Sequence, residues 1–121
     1  MSTLKLDTLS NKAGTASVPS DTIVSGTAKA WVNFNGQGTV AIRRAFNVSS
    51  ITDNTTGDYT VNFTTAMVDT NYAPMITADR GGHGAMGYKP TTITTSSYRF
   101  TEVQQQGSAL DSEFVSVAIF S

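Results

Sequence analysis

Alternation of apolar and polar residues is clearest between residues 28 and 48, where the turn signal NGQG interrupts it. Every second position from 30 to 34 is apolar, which is the spacing of side chains on one face of a β-strand. No stretch has a convincing helical period. We therefore predict an all-β fold, an antiparallel β-sandwich (jelly-roll-like) or a small barrel. Turn signals separate the predicted strands, which are 22–25, 28–35, 39–48, 58–65, 73–78, 84–88, 91–95, 97–105 and 113–120.

The loop between strands 28–35 and 39–48 decides which side chains face the core. A two-residue loop would put the apolar residues of the two strands on opposite faces, because a one-residue shift reverses every side chain. A three-residue loop over 36–38 instead pairs Phe34 with Val40 and turns both apolar sets, including Phe46, inward. Gly38 can adopt the left-handed conformation that this hairpin needs. The hydrophobic pattern therefore predicts the three-residue loop.

This register predicts that Trp31 lies opposite Arg43 on the outer face of the hairpin. A guanidinium over an indole ring contributes roughly 0.5–1 kcal/mol at an exposed site. The pair is either a local stack that stiffens the hairpin or a contact covered by a neighbouring subunit. Strict alternation points Arg44 inward, and either a bulge near it or a buried subunit contact would resolve this conflict.

The composition excludes several classes of protein. Only 14% of the 121 residues are charged, below the roughly 25% of ordinary soluble domains. The net charge of −1 offers no basic surface for nucleic acid. The sequence has no cysteine, so we expect folding in a reducing cytoplasm or stabilisation by assembly. We expect no membrane span and no signal peptide, since no apolar run approaches about 18 residues and the first residues lack the signal pattern.

The run FVSVAIF, near the end of the sequence, is apolar on both faces. Such a strand lies either between layers or at a subunit interface. A small domain without cross-links also gains stability from oligomerisation. The candidate interface residues are Phe114, Val115, Val117, Ile119 and Phe120.

Three segments carry a resemblance to a known family. Residues 27–63, TAKAWVNFNGQGTVAIRRAFNVSSITDNTTGDYTVNF, closely resemble a segment that recurs in bacteriophage structural proteins. The resemblance is greatest to the tail-fibre-like proteins of cyanophages and other marine phages. The opening MSTLKLDTLSNKAG is similar to the start of such proteins, and the closing SEFVSVAIFS to their terminal strand.

The resemblance implies a virion structural protein without enzymatic activity or cofactor. Such proteins are usually β-rich homotrimers, made in the bacterial cytoplasm and then assembled on the particle. This chain has their starting segment and β domain but no shaft between them. It is therefore expected to be a tail-fibre component, a head fibre or a capsid-decorating trimer, and its place on the particle stays open.

The first residues are predicted to form an N-terminal arm. Leu4 and Leu6 alternate with polar residues, as in a short strand or extended segment, whereas residues 9–21 have the composition of a linker. We divide the chain into an arm and linker, 1–21, and a β-sandwich domain, 22–121. The two leucines are the candidate virion anchor, which would add a strand to another virion protein or clasp a neighbouring chain. The alternative is an edge strand of the chain's own domain.

The segment DRGGHGAMGYKP, residues 79–90, is the candidate surface-binding loop. Its glycines allow backbone conformations that other residues resist. Arg80, His83, Tyr88 and Lys89 offer polar and aromatic contacts to a host-surface glycan. The alternative is an ordinary exposed turn.

Catalytic and metal chemistry have little support in the sequence. His83 is the only histidine, which excludes a histidine-rich metal site. The oxygen-rich segment 53–58 lacks the spacing of a calcium loop and is interpreted as a turn. We therefore predict no enzyme and no metal, but a structural appendage of a virion, with receptor binding as the alternative. The carboxylates lie in no pair of the kind that a glycosidase requires: Asp69, Asp79, Glu102, Asp111 and Glu113.

Overall fold

A computed structural model describes residues 1–79, 86–104 and 107–121, with only the backbone described at Met86. Its described regular elements are ten strands and one short helix, and the all-β prediction is confirmed. In chain order, the elements are β1 (Thr8–Ser10), β2 (Ser17–Pro19), α1 (Ser20–Gly26), β3 (Ala28–Asn35), β4 (Ala41–Phe46), β5 (Val48–Thr55), β6 (Asp58–Phe63), β7 (Ala73–Asp79), β8 (Met86–Ile93), β9 (Ser97–Gln104) and β10 (Phe114–Phe120).

Two four-stranded antiparallel sheets form a sandwich. Sheet 1 has the order β4-β3-β10-β7, and sheet 2 has the order β5-β6-β9-β8. The sheets are separate, so the sandwich, rather than a closed barrel, is the architecture. The short strands β1 and β2 pair only with each other, in a hairpin that precedes the sandwich.

The core lies between the inner faces of the two sheets, where aromatic rings meet. The ring of Phe34 in sheet 1 meets that of Tyr59 in sheet 2 edge to face, with centroids 5.2 Å apart. Within sheet 2, Tyr98 stacks on Phe100 at 5.7 Å. Three of the five predicted interface residues are also buried here, on the inner face of β10: Val115, Val117 and Ile119. Because their own core contains them, these three are unavailable to a partner.

The β3–β4 hairpin has a longer loop than the pattern predicts. Asn35 pairs with Ala41 and Phe34 with Ile42, so residues 36–40 form a five-residue loop instead of the predicted three-residue loop. Gly38 does adopt a left-handed conformation, with φ 60°. Both loop lengths are odd, and both therefore keep the apolar residues nearest the loop on one face.

A β-bulge at Arg43 changes the faces of β4 beyond it. Pairing resumes with Asn33 opposite Arg44 and ends with Trp31 opposite Phe46. The predicted Trp31–Arg43 pair is therefore wrong. Because the bulge inserts one residue without a partner, Phe46, predicted to point inward, lies on the outer face. The bulge also accounts for Arg44, which is exposed.

The structure differs from the sequence prediction in two segments. The predicted strand 22–25 is part of α1, which begins after Pro19 and has Asp21 in its first turn. The segment 53–58, interpreted as a turn, does contain one, at Thr56 and Gly57, but its first three residues end β5 and Asp58 begins β6. Gly57 has φ 66°, which suits a glycine at this tight connection.

Other strand limits also shift. The predicted strand 39–48 spans β4 and the start of β5, which are separated by Asn47 with φ 54°. The predicted strands 84–88 and 91–95 correspond to the single strand β8.

The N-terminal segment has its own local structure. All residues from 1 to 17 are exposed, and Leu4 keeps 82% of its surface. The predicted linker carries the β1–β2 hairpin, whose loop is closed by Asn11: its side-chain oxygen accepts hydrogen bonds from the amides of Thr15 and Ala16 at 3.0 and 3.2 Å. Among the described residues, the one helix, α1, falls far short of the length a membrane span requires.

Candidate functional site

The outer face of sheet 1 carries an apolar row beside a polar one. Across its four strands lie Phe46, Trp31, Ala118 and Met75, and the neighbouring row is Arg44, Asn33, Ser116 and Thr77. In β10, the residues that alternate with the core side chains point away from the core and include Ala118 and Phe120. Ala118 lies between Trp31 of β3 and Met75 of β7, its partners across sheet 1. We call the following set the apolar face: Trp31, Phe46, Met75, Phe114, Ala118 and Phe120.

Large side chains on the apolar face are open to solvent. Met75 is 62% exposed and Phe46 is 54% exposed. A shallow groove of about 300 Å³ runs across its centre, lined by Trp31, Met75 and Ala118 among others. The row from Phe46 to Met75 is contiguous, and contiguous apolar surface commonly marks an interaction site. Phe114 lies beyond the polar row that contains Asn33 and Ser116.

Arg43 borders the apolar face. Its guanidinium lies 4.1 Å from the ring centroid of Phe114, and its Nη1 donates a hydrogen bond of 2.8 Å to the carbonyl of Glu113. A cation–π contact of Arg43 thus exists, but with the ring of Phe114 rather than with Trp31. The bulge brings Arg43 to this position.

A second groove lies at the corner where the chain passes from β4 to β5. This corner groove has a volume of about 760 Å³, and its apolar lining includes Val24, Phe46, Met67 and Val68. Lys29 and Asp69 also line it. Because Phe46 belongs to both surfaces, the apolar face and the corner groove are continuous.

Asn47 links the backbone segments that line the corner groove. Its amide nitrogen donates to the carbonyls of Lys29 and Thr65, each at 3.0 Å, and its side-chain oxygen accepts from the Thr65 amide at 2.7 Å. The left-handed φ of Asn47 turns the chain from one sheet to the other. Asparagine tolerates this conformation better than most residues.

The outer face of sheet 2 is polar, and its side chains bond one another. Arg99 donates two hydrogen bonds of 2.8 Å to the carboxylate of Asp58. Asn54 donates to both Asp58 and Thr60, at 3.2 and 2.9 Å. Because these groups are partners within the sheet, the face presents little unmet bonding capacity.

A buried polar cluster fills the end of the sandwich near Gly57. Ser112 donates a hydrogen bond of 2.8 Å to Oε2 of Glu102. The Tyr59 hydroxyl lies 2.8 Å from Oδ1 of Asp111, and the same oxygen accepts from the Gly57 amide at 2.7 Å. Glu102 and Asp111, which appear scattered in the sequence, are thus brought into one cluster. Neither residue lines the two grooves described above.

Glu102 is the most perturbed carboxyl of the cluster. Its side chain is fully buried, and Oε1 has no hydrogen-bond partner among the described residues. Burial raises the pKa of Glu102 from 4.5 to about 7, and the charge of Asp111 acts in the same direction, against the hydrogen bond from Ser112. Burial, together with the hydrogen bond to Asp111, also raises the pKa of Tyr59 above its usual range.

The predicted surface-binding loop is only partly described. Arg80 and His83 lie outside the described residues. Lys89 is exposed. Tyr88 is half-buried, and its ring packs edge to face on Phe100 at 6.5 Å. Alternation along β8 turns the ring toward the core, so only part of it is open to solvent, and its role as a surface contact stays a prediction.

The remaining predicted site residues lie on the N-terminal segment and on sheet 1, where Phe114 pairs with Asp79 at the start of this loop. Leu4 and Leu6 are exposed on the N-terminal segment, and Phe114 is on the apolar face with Phe120. Sequence reasoning missed Phe46 and the edge-strand residue Met75 of the same face. Only the bulge reveals Phe46, and nothing in the sequence indicates the bulge except the awkward position of Arg44.

Over residues 1–79, 86–104 and 107–121, no three or more His, Cys, Asp or Glu side chains are grouped to hold a metal ion. Scans against protein-family models, curated proteins and solved structures each found no match to this chain.

Proposed function

We propose that this chain is a non-enzymatic structural subunit of a bacteriophage virion, a surface appendage of the tail-fibre or capsid-decoration type that assembles as a homotrimer. The apolar face is the observation that carries the self-assembly part of the proposal. The resemblance of residues 27–63 to phage tail-fibre-like proteins supports the virion part and the trimer.

The apolar face supports self-assembly because its exposure is unfavourable for a lone chain. Burying apolar surface contributes roughly 25 cal/mol per Å², and Met75 and Phe46 both remain more than half exposed. A second copy offers a surface of the same chemistry. The candidate interface then consists of Phe114 and Phe120, two of the residues predicted from sequence, together with Trp31, Phe46 and Met75.

The buried cluster supports the absence of catalysis as part of this proposal. Asp111 bonds Tyr59 and Gly57, and Glu102 bonds Ser112, so each carboxyl already serves the packing of the sandwich end. A glycosidase instead needs two carboxyl groups facing a bond of the substrate across a cleft. The N-terminal arm is proposed to make a contact outside its own domain, with another virion protein or a neighbouring copy.

Trp31 provides a direct test, because it is the only tryptophan of the chain and lies on the apolar face. We expect sedimentation to show an oligomer at micromolar concentration, and acrylamide quenching of the Trp31 fluorescence to fall as the oligomer forms. A stable monomer with unchanged quenching across the concentration range would sink the proposal.

A matched pair of variants locates the interface. Met75→Lys places a charge on the apolar face, and Thr92→Lys places one on β8, the corresponding edge strand of sheet 2. Because burying an unpaired charge is costly, we expect M75K to weaken self-association by about tenfold or more, whereas T92K leaves it unchanged. Equal effects of the two variants would contradict an interface on the apolar face.

Recognition of a host-surface glycan is a second candidate function. The groove at the centre of the apolar face places an indole, Trp31, beside Asn33 and Ser116, and aromatic rings flanked by hydrogen-bonding groups suit sugar rings. Glycan-array binding that disappears in Trp31→Ala, in a chain that stays monomeric, would favour this function over self-assembly.

A further inference from the structure

We propose that the corner groove is a docking site for the N-terminal arm of a second copy of this chain, with Leu4 and Leu6 as the inserted side chains. This inference rests on the proposed self-assembly and names the segment that completes it. The occupant follows from the chemistry of the groove, the state of the arm and the area that an interface needs.

The groove has the composition of a peptide-binding site. Val24, Phe46, Met67 and Val68 provide apolar lining, and Val68 is 93% exposed. Grooves of several hundred Å³ with apolar walls and a few polar groups are typical of binding sites. The volume of about 760 Å³ gives room for more than one leucine side chain.

The arm has the complementary pattern. In residues 1–7, Leu4 and Leu6 are two positions apart, so an extended backbone turns both to one side. Both are exposed in the single chain, and no residue of the arm lines the chain's own groove. The Ser20 amide donates a hydrogen bond to the Asp7 carbonyl at 2.8 Å, which fixes the point where the arm leaves the folded part.

Charges also match between the arm and the groove. The arm carries Lys5 and Asp7, and the groove carries Asp69 and Lys29. With the leucines turned into the groove, Lys5 and Asp7 point away from its floor. Asp69 is exposed and can meet Lys5 at the rim, whereas the Lys29 ammonium already donates to the carbonyls of Val24 and Thr27. Such pairs set register and partner choice more than affinity.

The size of the apolar face explains why the arm is needed. Four strands about 4.8 Å apart and seven residues long give a flat area on the order of 450 Å². Stable interfaces bury about 800 Å² per partner, so the face alone falls short. The corner groove continues the apolar face through Phe46, and an arm about 20 Å long laid in it would supply the missing area.

Cysteine cross-linking tests this directly, because the natural chain has no cysteine. Leu4→Cys in one preparation is mixed with Val68→Cys in a second preparation that carries a mass tag. Under mild oxidation, we expect a covalent dimer that contains one copy of each mass. The matched control replaces V68C by Thr92→Cys, on the polar face of sheet 2. Because docking raises the effective concentration of the two thiols, we expect the V68C product to exceed the T92C product by about tenfold or more.

The outcomes distinguish the docking proposal from the self-assembly proposal on which it rests. If the cysteine-free chain sediments as an oligomer but V68C cross-links no better than T92C, the docking site is refuted and self-assembly stands. A chain that is monomeric throughout refutes both. If the double variant L4C/V68C closes mainly within one dilute chain, the arm occupies its own groove, and the second copy is refuted.

Discussion

The two sheets of the sandwich use their outer faces in opposite ways. In sheet 2, the outward-pointing side chains bond each other: Arg99 donates two hydrogen bonds to the carboxylate of Asp58, and Asn62 donates to Ser50 and Thr52 at 3.0 and 2.9 Å. Sheet 1, with the same number of strands, presents a row of apolar side chains that includes Phe46, Trp31 and Met75, beside a polar row. A polar face whose side chains hydrogen-bond one another needs no partner, whereas an apolar face is stabilised when another surface covers it. The difference assigns the candidate assembly surface to sheet 1.

Sheet 2 also separates two carboxyl groups between its inner and outer faces. Glu102 points into the core, where burial raises its pKa to about 7. Asp58 points outward, where the hydrogen bonds from Arg99 lower the pKa of its carboxyl below 3.8. The two carboxyl groups should therefore make the free energy of unfolding depend on pH in opposite directions, which tests the difference between the faces.

The largest effect is expected from Glu102→Gln. The folded chain holds the proton of Glu102 more tightly than the unfolded chain, so stability is greatest below pH 4.5 and declines as pH rises toward about 7. This decline amounts to about 3 kcal/mol at 1.36 kcal/mol per unit. Because E102Q cannot ionise, its free energy of unfolding, measured by urea titration, should lack this decline. Parallel pH profiles for the two proteins would show that Glu102 is not held protonated.

Asp58→Asn should give a smaller effect with the opposite pH dependence. The ionised Asp58 is the form that accepts the Arg99 hydrogen bonds, so its contribution is present above pH 3.8 and is lost as pH falls through the lowered pKa. We expect D58N to be less stable than the natural chain in urea unfolding at neutral pH, with the difference shrinking at pH 2. A difference that stays constant over this range would contradict the ion pair as its cause.

The smallest effect is expected at the edge of the apolar face. Arg43→Ala removes the contact over the Phe114 ring, worth roughly 0.5–1 kcal/mol at exposed sites. The neighbouring Arg44→Ala is the control, since its side chain is exposed opposite Asn33, and exposed positions usually change stability by less than about 0.5 kcal/mol. Thermal unfolding of the two variants measures the difference, and a larger loss in R44A than in R43A would contradict the contact.

Alternation predicts the strands that bury one face. The strand 28–35 was predicted with the limits of β3, because Ala30, Val32 and Phe34 all enter the core. β5 is missed by this pattern because its sequence, VSSITDNT, has only two large apolar residues, and its other side chains are polar. α1 is not predicted because seven residues are too few to show a helical period, and its Thr, Ile and Val favour strands.

The register of β4 shows a second limit of prediction from sequence. Alternation fixes only whether a loop has an odd or even number of residues, so three and five residues fit the pattern equally well. The bulge at Arg43 depends on contacts distant in sequence, with Phe114 and Glu113. The outward position of Phe46, and with it the continuity of the candidate site, could therefore not be deduced from the local pattern.

The position of β10 has a consequence for how the chain folds. β10 lies between β3 and β7, and it pairs Phe34 with Val115 across 80 intervening residues. Sheet 2 instead contains two local hairpins, β5–β6 and β8–β9. Because distant pairings form slowly, we expect sheet 2 to form first, and pulse-labelled hydrogen exchange during refolding should protect β6 before β10. The apolar face would then appear only when the rest of the domain is in place, and the proposed contact between copies would follow the folding of each chain.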